Sequence, residues 1–141
     1  MPSRRAPACS SRRWTSAIST RSKPWLHLEL AFDAPMKEPG FFLIVRFWVA
    51  PQAEAQVIDW LDDGHVAEVV RQPGFLWCRR IRLAEKDANG WSGYSMIYGI
   101  ASKEDFEGYS ANKLLHEKFA RERASFEKQL RIDRFAGPVE G

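Results

Sequence analysis

A chain of 141 residues suits one domain and leaves no room for a second core. With 45% hydrophobic and 28% charged residues it has the composition of an ordinary globular protein, and no apolar run approaches the ~20 residues that span a bilayer. The net charge of +3 is unevenly spread: residues 1–35 carry six basic and two acidic side chains, a net +4, and residues 36–141 carry 15 basic and 16 acidic, a net −1. The domain therefore lacks the concentrated basic face on which nucleic-acid binding rests.

Residues 1–40 read as a basic leader, rich in Ser, Arg and Pro before Met36, with no acid before Glu29 and no periodicity. The favoured reading is a disordered tail, or an upstream stretch ahead of a true start at Met36. An organelle transit peptide shares this composition. A twin-arginine export signal at Arg12-Arg13 would need an apolar segment where Arg21, Lys23 and Pro24 stand. A basic arm is the last alternative. The two cysteines, Cys9 and Cys78, do not amount to a disulfide framework or a metal motif, and Cys78 reads as a small buried residue. The chain is expected to be soluble and cytoplasmic.

Phe41 to Ala50 is the first predicted strand. Phe41, Leu43, Val45, Phe47 and Val49 make one apolar face at period two, and Phe42, Ile44 and Trp48 line the other with Arg46. A strand apolar on both faces is usually central, and a small domain has helices enough for one face only. Pro51 opens a helix running to about Asp63, with Val57, Trp60 and Leu61 inward. Gly64 ends or bends it, and Val66, Val69 and Val70 continue the stripe.

Pro73-Gly74 is a turn into a second strand, Phe75 to Leu83. Here Phe75, Trp77, Arg79, Ile81 and Leu83 are expected on one face, and Leu76, Cys78, Arg80 and Arg82 on the other. Asn89-Gly90 marks the turn of a hairpin to a third strand, Tyr94 to Ile100. Ser102-Lys103-Glu104-Asp105 resembles a capping box and starts a helix with Phe106, Tyr109, Leu114, Leu115 and Phe119 as core candidates. Gly108 and Ser110-Ala111-Asn112 break its first part. Leu130 to Phe135 alternates as the last strand. The sum is α+β: a ferredoxin-like β-α-β-β-α-β domain over residues 41–136 with a four-stranded antiparallel sheet, followed by a tail at 137–141. The open sheet face calls for a cover, and a second copy of the chain supplies one.

From Phe42 to Phe135 the chain resembles a family of small bacterial proteins of unknown function in the dimeric α/β-barrel superfamily. The likeness rests on Trp60-Leu61, His65-Val66-Ala67-Glu68-Val69, Gly74-Phe75, the aromatic third strand at Tyr94 and Tyr98, and Ser102 to Phe106. Ala67 stands where those proteins usually have Pro, and Gly64 precedes the His. The resemblance implies a homodimer. The wider superfamily includes cofactor-free monooxygenases, haem-binding enzymes, lactone isomerases, dehydratases and ligand-sensing domains, so it leaves the chemistry open.

His65 is the candidate catalytic residue, since a neutral imidazole can accept or donate a proton, and its bland alternative is a helix-terminal His bonding a carbonyl. Trp60, Trp77 and Tyr94 are candidate walls for a small flat organic ligand in the sheet–helix cleft, and Arg79 a candidate anion anchor. A buried arginine among Arg46, Arg79 and Arg80 needs a carboxylate, for which Asp59 and Glu68 are the nearest candidates. His116 and the run Lys118 to Arg123 read as solvated surface. No zinc spacing, phosphate loop or nucleophile elbow is present. No cofactor is called for, with haem on His65 the lesser alternative. Two functions stay open: a protein that binds or transforms a small molecule, enzymatic or not, and a non-catalytic sensing or structural dimer module.

Overall fold

A computed structural model describes residues 37–141; the leader expectations fall on residues outside these. Four antiparallel strands, β1 (Phe41–Val49), β2 (Phe75–Arg82), β3 (Ser92–Ile100) and β4 (Leu130–Pro138), lie in the order β2-β3-β1-β4. This is the ferredoxin-like α+β fold. The helices are α1 (Pro51–Trp60), α2 (Val66–Val70), α3 (Lys103–Ser110) and α4 (Lys113–Arg123), with a wide π turn at Leu61–His65 and a 3₁₀ segment at Ala124–Gln129. No described helix is long and apolar enough to cross a membrane.

The first strand takes the central place its two apolar faces call for, paired with β3 on one side and β4 on the other. Phe41, Leu43, Phe47 and Val49 are buried under the helices with Met96, Tyr98 and Ile100 of β3. Each such side chain contributes roughly 1.5–3 kcal/mol by leaving water. Pro51 occupies the first turn of α1, where its missing N–H costs nothing.

The first helical stretch bends at Gly64, as expected, where the backbone leaves the helical region before α2 resumes. Val57, Leu61, His65 and Val69 recur every fourth residue, and on a regular helix of about 3.6 residues per turn such a stripe drifts sideways. The π turn removes the drift: the Val66 N–H bonds the Leu61 carbonyl, five residues back. All four side chains consequently face the same interior.

One expectation about faces is overturned. A bulge between Phe75 and Trp77 puts two residues of β2 against one step of β3. Phe75 therefore joins the helix side, its ring tilted against Tyr109 at 4.9 Å, while Trp77, Arg79 and Ile81 share the open face. Alternation alone cannot reveal an inserted residue. Arg80 is the inward arginine, and its partner is neither Asp59 nor Glu68. Asp62, on the π turn, meets it at 3.0 Å, with side chains 0% and 6% exposed. Glu68 instead holds Lys118 at 2.7 Å.

Ser102 caps α3 by accepting the Asp105 N–H at 3.1 Å, and its hydroxyl donates to the Asp105 carboxylate at 2.9 Å. Gly74 is required beside it. Its φ is +82°, and a Cβ there would sit 2.1 Å from the Asp105 carboxyl carbon. The second helical stretch breaks at Ala111-Asn112, where the Asn112 side chain accepts from the Leu115 N–H and starts α4. Leu114 is 79% exposed, contrary to the core position expected of it. The stripe of α4 runs Leu115–Phe119, and Leu114 lies about 100° away from it.

Candidate functional site

Between the helix layer and the β1–β3–β4 part of the sheet is a cavity of about 480 Å³. Its floor is Leu43, Val45, Met96 and Tyr98, and its helical walls include Trp60, His65, Tyr109 and Phe119. Among the exposed members of the lining, Ser110, Arg134 and Ala136 mark its mouth beside β4. The volume lies within the roughly 300–1,000 Å³ of small-molecule sites.

His65 is set into one wall. The π turn directs it inward, Trp60 stacks on its face at 4.0 Å and 23°, and Phe119 meets it edge-on at 4.4 Å. Trp60 is itself pinned, its indole N–H donating to Glu122 at 3.1 Å. The His65 Nδ1 is sealed from solvent and has no hydrogen-bond partner among the described residues. Burial, followed by the positive charges of Arg123, Arg134 and Lys118, lowers the pKa of His65 from 6.5 to about 3. The imidazole is thus neutral at physiological pH.

The remaining polar groups follow the same logic. Burial raises the pKa of Tyr98 and pushes Tyr109 up to about 12, so both phenols stay protonated and can donate. His116 is half-buried rather than solvated: its Nε2 is 2.9 Å from the Tyr109 carbonyl oxygen and its ring packs edge-on against Tyr109. Arg123, in the run read as a solvated face, and Arg134 both line the cavity. Burial, then the neighbouring charge of Arg134, lowers the pKa of Arg123.

Of the five residues singled out from sequence, the cavity brings together His65 and Trp60. Tyr94 lies on the helix side but outside the cavity. It stacks on Phe47 at 5.2 Å, donates a hydrogen bond to Glu54 and accepts one from Arg82 at 3.1 Å. Trp77 and Arg79 lie on the open sheet face. The Trp77 indole donates to the Lys37 carbonyl at 3.1 Å, and the Arg79 guanidinium sits 5.6 Å from the Trp77 ring. They cannot be walls of this cavity, because the bulge turns them through the sheet. Arg123 and Arg134 were overlooked although the signal was present. Arg134 shares its strand face with Leu130 and Ile132, and Arg123 follows Phe119 by four.

No group of three or more metal-ligating side chains occurs among the described residues.

A sheet–helix cavity on a ferredoxin-like scaffold is the general class this architecture defines. Within it, the chain belongs to the family described as a domain of unknown function (DUF4286), whose model matches residues 41–132. Solved structures share the fold at low identity. A dimeric ferredoxin-like protein from an uncultured marine organism is 15% identical over 74% of this chain and 98% of its own, with a TM-score of 0.51. A candidate antibiotic biosynthesis monooxygenase from Bacillus cereus is 13% identical over 72% of this chain and 95% of its own, with a TM-score of 0.48. The designed protein Foldit4 is 17% identical over 71% of this chain and 98% of its own, with a TM-score of 0.44. Such likeness speaks to fold alone. No curated protein matches the chain.

Proposed function

We propose that this protein binds a small, flat organic molecule in its sheet–helix cavity and works as a homodimer. The observation that carries the first part is the cavity itself: about 480 Å³, aromatic on several sides, with a neutral imidazole in its wall. Native interiors seldom leave a sealed polar atom such as the His65 Nδ1 unsatisfied, and they seldom keep apolar space of this size without use. An open cavity favours a ligand role over a purely structural one. In this reading Trp60 and Phe119 hold the flat body and His65 exchanges hydrogen bonds with it. Any proton transfer would fall to His65, with a ligand first raising its basicity.

The dimer has separate support. The open face carries Phe42, Ile44, Trp48, Trp77 and Ile97, together with Ile81, which is 49% exposed. An apolar face of this kind calls for a partner, and a protein with the same fold is described as dimeric.

The test of binding is a thermal-shift and NMR screen of small aromatic acids, amides and phenols against the wild type and Val45→Phe, which fills the cavity floor. Compounds that stabilise the wild type and not the variant support the reading. A ligand at a hundred times its Kd adds about 2.7 kcal/mol, so binders will be visible. No binder to the wild type would sink it. For the dimer, sedimentation should give twice the chain mass for the wild type and a monomer for Ile81→Asp/Ile97→Asp. A monomeric wild type at 100 µM or more would refute it.

A further inference from the structure

Resting on that cavity reading, we propose that the ligand is a carboxylate: a flat apolar body inside, its anionic head at the mouth between Arg123 and Arg134. The two guanidiniums come from different elements, the last turn of α4 and the middle of β4, and both line the same cavity. The lining carries two arginines and no carboxylate.

Four other strand arginines make the contrast, each meeting a carboxylate. Arg46 meets Asp133 at 3.4 Å, Arg80 meets Asp62 at 3.0 Å, Arg82 meets Glu54 at 3.4 Å and Arg131 meets Asp87 at 3.1 Å. Arg123 and Arg134 have no carboxylate within 4 Å among the described residues. Glu122 and Glu127 are close enough to act on Arg123, but neither lines the cavity. Glu122 is engaged elsewhere, accepting from Trp60 and lying 3.7 Å from Lys118.

Bringing two like charges together at the edge of a low-dielectric space is unfavourable unless an anion joins them. Guanidinium suits this task, since its planar fork matches the two oxygens of a carboxylate. Arg134 also stands near enough to act on His65, Tyr98 and Tyr109, which agrees with its exposed place at the cavity mouth. The protonated phenols and the neutral imidazole deeper in can donate to a ligand without adding negative charge beside its head.

The probes are 2-naphthoate, its neutral counterpart 2-naphthamide, and inorganic phosphate, titrated by calorimetry into the full chain and into Arg134→Gln and Arg123→Gln/Arg134→Gln. The wild type should bind naphthoate at least tenfold more tightly than naphthamide. The double variant should lose that preference while keeping its affinity for naphthamide, and Arg134→Gln, at an exposed position, should lose part of it without loss of fold. Equal affinity for acid and amide in the wild type would overturn the carboxylate and leave the cavity standing. Failure of both would overturn the cavity reading as well. Phosphate binding as tightly as naphthoate would overturn the amphipathic ligand in favour of a plain anion site.

Discussion

Acid should destabilise this protein through His65, and the size of the effect follows from its surroundings. In the unfolded chain the imidazole takes its proton near 6.5; between Trp60 and Phe119 it does so only near 3. Between those values the unfolded chain holds a proton that the folded chain refuses, so acid favours unfolding. The stability this group contributes is fully present above about pH 6.5 and is lost as pH falls toward 3. At pH 5, about 1.5 units below 6.5, the loss is about 2 kcal/mol at 1.36 kcal/mol per unit. Urea denaturation of the wild type and of His65→Phe, at pH 8 and pH 5 and at one protein concentration, isolates it. Other groups titrate equally in both proteins, so the wild type should lose about 2 kcal/mol more than the variant across this interval. Equal losses, within about 0.5 kcal/mol, would show that His65 is not held neutral by burial.

Three further outcomes are expected. Asp62→Ala strands a guanidinium that is 6% exposed and should cost about 3–5 kcal/mol in denaturant, with Asp62→Leu/Arg80→Met recovering most of it. Phe119→Ala should cost about 3–5 kcal/mol and admit water beside His65, so the imidazole titration followed by NMR should move up toward 6.5. Ser102→Ala removes the acceptor of the Asp105 N–H and should lower stability by about 1 kcal/mol, read from the denaturation midpoint, without changing ligand affinity.

Much of the fold was legible because its signals are local. Alternation in Phe41–Val49 marked a central strand, Pro51 marked a helix start, and Ser102 with Asp105 marked another. The fourfold spacing Val57–Leu61–His65–Val69 was also on the page, but the π turn that keeps it on one line across the Gly64 bend was not. Of the candidate site, Trp60 was found on the inward stripe of the first helix and His65 as the imidazole near its end. Trp77 and Arg79 were sent to the wrong face by a bulge that adds one residue and leaves the composition of the strand unchanged.

The sequence by itself determined the order of elements, the central strand, the caps and the apolar stripes, because each depends on residues within a few positions of one another. Only the tertiary structure decided that Arg80 meets Asp62, that Arg123 and Arg134 share a mouth, and that His65 is packed between the face of Trp60 and the edge of Phe119. Those neighbours are separated by stretches of chain whose return paths depend on one bulge and one wide turn. Electrostatics follows position in space, so the neutrality of His65 had to wait for the fold.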